Sequence, residues 1–102
     1  MAAKRSIEVH ALHWRGVNLE ITFERHWLGI ERHIADAHLT VTARGRQPLP
    51  ITETGYRSHF LAADEIDSAG GPVAYIAIWL DTMARSQEWI AYEQASRQLS
   101  LF

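Results

Sequence analysis

The chain reads as a single α+β domain, a small antiparallel sheet of three to four strands packed on one face by one kinked or two C-terminal helices. Three observations predict this. The first half alternates apolar and polar residues with period two, as half-buried strands do; from Val73 onward the apolar period becomes helical. The length of 102 residues, with 47% hydrophobic and 22% charged residues, suits one core that needs no staple. Residues 1–97 are expected to form the folded body and residues 98–102 an exposed C-terminal peptide.

The strands follow in order. From Ile7 to Trp14, Ile7, Val9 and Ala11 alternate with Glu8 and His10, which predicts that the first set faces the core. Arg15 and Gly16 supply a turn, after which Leu19, Ile21 and Phe23 alternate with Glu20, Thr22 and Glu24. A third alternation runs through Ala35, Ala37, Leu39, Val41 and Ala43, and ends in a loop where Gly45, Pro48 and Pro50 interrupt any ladder. Ile51 to Leu61, rich in Thr, Tyr and Phe, predicts a shorter fourth strand with Gly55 at a bulge or bend.

Asp64, Glu65, Asp67 and Ser68 read as an acidic connector leading into Gly70, Gly71 and Pro72. Proline suits the first helical turn, and carboxylates just upstream suit its positive end. Val73, Ile76, Ala77, Leu80, Met83 and Ala84 then share one helical stripe, with Ala74, Tyr75, Ile78 and Trp79 making the first turns apolar on almost every side. Ser86 ahead of Gln87 and Glu88 resembles a fresh N-cap, with Trp89, Ile90 and Tyr92 seating a second helix to about Arg97. An unbroken helix from Pro72 would be roughly 40 Å long, which predicts a break near Ser86.

Composition narrows the function classes. There is no cysteine, so disulfides and thiolate metal sites are excluded and a reducing, cytoplasmic setting is expected. Lys4 and Arg5 are not followed by a continuous apolar stretch, so no secretory signal is predicted, and the run Val73 to Leu80 is too short to span a bilayer. Ten Lys plus Arg against twelve Asp plus Glu give a net charge of -2, and Arg44 with Arg46 is the one local basic cluster. Strong direct binding to nucleic acid is disfavoured, because duplex binders neutralise phosphates with clustered cations.

Six histidines invite a metal reading. With the strands paired as above, His10, His26 and His38 fall on the sheet face away from the core, beside Glu8, Glu24 and Asp36, and such nitrogen and carboxylate donors suit zinc or iron. The spacing contains no metal motif, and alternation alone places polar residues there, so these are weak candidates and no cofactor is implied. In the cluster Glu53, Tyr56, Arg57, Ser58 and His59, Ser58 and His59 are adjacent, which in a strand sends them to opposite faces and excludes them as a nucleophile and base pair. Tyr56, Arg57 and His59 remain as a recognition patch, against the plainer reading that Tyr56 and Phe60 pack on the core while Arg57 pairs with an acid. Trp14, Trp27, Trp79 and Trp89 read as packing residues, since stacking platforms for single strands sit in basic grooves. Gly70 and Gly71 lack the lysine and spacing of a phosphate loop.

The last five residues, Gln98, Leu99, Ser100, Leu101 and Phe102, spell Q-L-S-L-F. This resembles the peptide by which many bacterial proteins grip the replication sliding clamp, and it matches at all five positions. The resemblance implies that Gln98 enters a small polar subsite, that Leu99 is the second-position leucine, and that Leu101 with Phe102 fills the main hydrophobic pocket. Extended peptides of this kind dock in grooves through a few side-chain anchors. Separately, Pro50 to about Leu61 together with G-G-P-V-A-Y-I-A-I-W-L-D resembles a group of short bacterial proteins of unknown function, which implies no activity.

The expectation is therefore a non-enzymatic accessory or regulatory protein whose partner is the DNA sliding clamp. Two alternatives stand beside it: a small metal-dependent enzyme using the His and Glu sheet face, and a homodimeric interaction module. The competing expectation for the tail is that Leu99, Leu101 and Phe102 fold back onto the domain's own core, as apolar tails often do.

Overall fold

A computed structural model describes residues 7–25 and 37–99. The elements run β1 (Ile7–Trp14), β2 (Val17–Glu24), β3 (Ala37–Ala43), β4 (Tyr56–Leu61), α1 (Ala63–Ala69), α2 (Pro72–Met83) and α3 (Gln87–Leu99). The strands form one antiparallel sheet in the order β1-β2-β3-β4, so the α+β class and four-strand count follow the sequence reading. Ala35 and Asp36, expected in the third strand, lie outside the described residues, as do His26 and Trp27.

The face of β1 is a correction. Arg15 and Gly16, with φ of 45° and 83°, close a two-residue turn that pairs Trp14 with Val17. That register sets Leu12 opposite Leu19, His10 opposite Ile21 and Glu8 opposite Phe23. Because directly paired residues share a face, Glu8, His10, Leu12 and Trp14 lie on the core side, while Ile7, Val9 and Ala11 are on the other face and exposed. The turn and the inward face of β2 overrule the local apolar count in β1. Leu19, Ile21 and Phe23 of β2 and Ala37, Leu39, Val41 and Ala43 of β3 face inward as expected.

β4 is shorter than the predicted Ile51 to Leu61. Ile51 to Gly55 form turns, with an isolated bridge between Leu49 and Thr52. Gly55, at φ 75°, brings its backbone against Arg46; a Cβ there would lie 2.5 Å from the Arg46 carbonyl carbon. Its carbonyl accepts the Ala43 N–H at 2.7 Å, which carries the chain from β3 into β4. Only glycine fits both the dihedral and the approach.

The acidic connector is also corrected: it is the helix α1. Asp64 and Glu65 occupy its first turn, the Ala62 N–H donates to Glu65 Oε2 at 3.3 Å, and Ile66 is fully buried. The carboxylates complement the helix's own positive end rather than that of the next one. Asp67 receives both guanidinium nitrogens of Arg25, at 2.8 and 3.0 Å, tying α1 to the end of β2. This hydrogen bond, aided by the Arg25 charge and opposed by desolvation, holds the Asp67 carboxyl below its ordinary range.

α2 begins on Pro72 and buries Ile76 and Leu80. It crosses the sheet, touching β4 through Trp79 and β1 through Asp81, whose carboxylate accepts the Trp14 indole N–H at 2.9 Å. The expected break falls at Ala84 to Ser86, and the Ser86 hydroxyl caps α3 by accepting the Trp89 N–H at 3.2 Å. α3 continues to Leu99, two residues past the expected end. Phe23, Ile21, Leu39, Ile66, Ile76, Leu80 and Val41 make the sealed centre of the core, each stabilising by about 1.5–3 kcal/mol. Among the described residues no helix is long and apolar enough to cross a membrane.

Candidate functional site

Among the described residues β4 is an edge strand, and alternation divides its polar residues between two environments. Arg57 pairs with Val41 and His59 with Leu39, so both lie on the helix side; Tyr56, Ser58 and Phe60 lie on the opposite face, open in the sense that no described helix packs on it. The expected patch of Tyr56, Arg57 and His59 is thus split. Tyr56 sits beneath the Arg46 guanidinium, 5.5 Å from its ring centre, while Arg57 and His59 join Tyr75 and Trp79 of α2. The alternative placement of Tyr56 and Phe60 in the core also fails, since both are exposed.

The helix-side cluster is built by the spacing of Tyr75 and Trp79, one helical turn apart on the flank of the buried stripe. The His59 ring lies 4.8 Å from Trp79 and 6.4 Å from Tyr75, and the Arg57 guanidinium stands 5.2 Å from the Trp79 ring centre. Arg57 Nη1 also donates to the Ile51 carbonyl at 3.0 Å, so it braces the preceding turns rather than pairing with an acid. Burial pushes the His59 pKa down, the Arg57 charge adds to this, and Glu65 opposes it. Burial, then Glu65, raises that of Tyr75. The neutral His59 ring is therefore a stacking partner more than a general acid.

Beside this cluster Asp64, Glu65, Tyr75, Ile78, Trp79 and Thr82 line a shallow groove of about 640 Å³. Carboxylates over an aromatic wall suit a cationic or amphipathic side chain. The sequence pattern places Tyr75 and Trp79 as packing residues and Glu65 in an acidic connector, not in a site; the spacing of Tyr75 and Trp79 at the edge of the apolar stripe is the available signal.

On the open face His38 and Ser58 meet across β3 and β4, with Nε2 and Oγ 2.6 Å apart, and His38 stacks on Phe60 at 4.4 Å. Thr22 and Thr40 hydrogen-bond in the neighbouring row. A Ser and His pair is the minimum of a nucleophilic site, but a sheet face directs its N–H groups along the ladder, in the plane, and offers no donors above it for an oxyanion.

The histidine face does not assemble as expected. His10 is on the core side, bonded to Glu8 at 2.9 Å, while His38 is on the open face; His26 lies outside the described residues. Register again decides this, because His10 is paired with inward-facing Ile21. Among the described residues no group of three or more His, Asp or Glu side chains stands close enough to hold a metal ion.

Among the described residues of α3, Trp89, Glu93 and Ser96 are the partly buried ones. The Trp89 ring lies 6.3 Å from Trp14, and Glu93 stands 3.8 Å from Arg15. Beyond Ser96, Gln98 is exposed in the last turn and Leu99 closes the helix; Ser100, Leu101 and Phe102 lie outside the described residues.

Residues 7–89 match the family model described as the KlcB third domain. No curated protein and no solved structure matches the chain.

Proposed function

The chain belongs to the KlcB third-domain family, and we propose that it is a non-enzymatic accessory or regulatory protein that binds the bacterial DNA sliding clamp through Gln98, Leu99, Ser100, Leu101 and Phe102. The observation that carries this reading is the five-position resemblance of Q-L-S-L-F to clamp-binding peptides. Two features support it. The family match ends at residue 89, so the peptide lies beyond the residues that define the domain. Gln98 is exposed in the last turn of α3.

Burial of Leu99, Leu101 and Phe102 in a partner's pocket is worth about 1.5–3 kcal/mol each, and ordering the peptide with loss of translational freedom takes back much of it. An affinity of about micromolar is the natural outcome. With a net charge of -2, the route to DNA is indirect, through the clamp. Occupying the clamp's pocket either recruits the domain to replication sites or competes with polymerases there.

Surface plasmon resonance of the intact protein over an immobilised bacterial sliding clamp tests the reading, with a Leu101→Ala, Phe102→Ala variant and a competing clamp peptide. Binding that the competitor and the double substitution both abolish is expected. Equal binding by both proteins, or none by either, removes the proposal.

A further inference from the structure

We propose that β1 is the contact strand of a homodimer, in which two copies align antiparallel about a two-fold axis at Val9 and continue the sheet from four strands to eight. This inference does not rest on the clamp reading.

The backbone comes first. Positive φ at both Arg15 and Gly16 is the signature of a type I′ hairpin turn, whose closing pair, Trp14 and Val17, exchanges both backbone hydrogen bonds. Hydrogen-bonded pairs then alternate along the ladder, so Leu12, His10 and Glu8 bond inward to β2. Ile7, Val9, Ala11 and His13 direct their N–H and C=O groups to the outer edge. Among the described residues no strand pairs with that edge. Sheet edges are normally blunted by proline, lysine, bulges or short length, whereas β1 is eight residues long, holds neither residue and keeps unbroken register with β2.

The side chains supply the register. With the axis at Val9, that residue meets Val9 of the second copy and Ile7 meets its Ala11, all on the open face, where Val9 is 62% and Ile7 48% exposed in the single chain. On the core side Glu8 meets His10 of the second copy, and His10 its Glu8. These are the non-hydrogen-bonded pairs of the new ladder, in which side chains approach more closely. An isolated inward charge at an edge opposes strand addition. Here Glu8 and His10, already 2.9 Å apart within one chain, flank Val9 symmetrically and complement each other across the axis.

Neighbouring registers lose this match. An axis at Glu8 sets that carboxylate against itself, one at His10 sets imidazole against imidazole and Glu8 against Leu12, and one at Ala11 sets Glu8 against Trp14. The contact is one strand wide, at the small end of specific interfaces, so the dimer is concentration-dependent. Where the clamp reading also holds, two peptides on one dimer raise binding through effective concentration.

The absence of native cysteine makes the register testable. Single variants Val9→Cys, His10→Cys and Ala11→Cys are oxidised and run on a non-reducing gel, each reporting an axis at its own position. A covalent dimer from Val9→Cys in large excess over the other two is expected, since opposed residues in a hydrogen-bonded pair stand about 5.5 Å apart, within disulfide range. Sedimentation velocity follows association without the cross-link. Val9→Pro removes an outward N–H that β2 does not use and is tolerated on an edge; it gives a monomer with an unchanged circular dichroism spectrum. Glu8→Lys and His10→Glu each weaken association about tenfold or more, and the swap Glu8→His with His10→Glu restores it. A wild-type protein that stays monomeric over the whole concentration range, equal cross-linking at all three positions, or a swap that fails to recover overturns the proposal.

Discussion

The Trp14 indole N–H donates to the Asp81 carboxylate over 2.9 Å, joining the end of β1 to the last turn of α2 across 67 positions of chain. The bond lets a large aromatic side chain be 7% exposed without an orphaned donor. Asp81→Ala is expected to cost about 1 kcal/mol, at the low end for a charged acceptor because the site is partly solvated. A fall in the urea midpoint with unchanged slope reads it.

Gly55 and Gly16 both have positive φ, but only Gly55 is crowded by backbone. Gly16→Ala meets nothing within 4 Å and carries the dihedral penalty alone, about 1 kcal/mol. Gly55→Ala adds the 2.5 Å approach to Arg46 and is expected to cost at least about 2 kcal/mol. Calorimetry on the two variants compares them directly, and Gly55→Ala should melt lower.

Burial, followed by the Arg57 charge, lowers the His59 pKa. The unfolded chain therefore binds this proton more readily than the folded one. The associated stability is fully present above the unfolded value of about 6.5 and declines as pH falls through it toward the folded pKa. His59→Gln should flatten that part of the curve of denaturation midpoint against pH, and the native His59 ring should titrate below the ordinary range by NMR.

Trp89 sets α3 against Trp14 and packs on Tyr92 of its own helix, and its indole nitrogen finds no partner among the described residues. Trp89→Phe removes that buried N–H and keeps most of the packing, so a change within about 1 kcal/mol is expected. Trp89→Ala should cost about 2 kcal/mol, less than a fully buried tryptophan. It should also raise hydrogen exchange in α3 while β2 and β3 keep their protection.

Much of this architecture is legible in local pattern, and the failures are instructive. Leu19, Ile21 and Phe23 point inward as their alternation says, and Ser86 caps α3 as its sequence context says. Ile7, Val9 and Ala11 do not point inward, although the cue was present: a two-residue turn at Arg15 and Gly16 pairs Trp14 with Val17 and carries Leu12 onto Leu19. Register is a property of the pair, whereas hydrophobic count is a property of one strand. Asp64 and Glu65 were legible as partners of a helix N-terminus, but the helix they serve is α1. Within the site, opposite faces for Ser58 and His59 follow from strand geometry; the meeting of His38 with Ser58, and of His59 with Trp79, does not.

Periodicity, turn residues and composition by themselves determined the α+β class, the inward faces of β2 and β3, the break before α3 and the lack of cysteine chemistry, because each depends on residues a few positions apart. The tertiary structure alone decided which face of β1 meets the core, that Tyr56 parts from Arg57 and His59, and that Ile7, Val9 and Ala11 stand exposed on a strand that is at the sheet edge among the described residues. Those outcomes are set by pairing between distant strands and by α2 crossing them, where one residue of register exchanges every side chain between two faces.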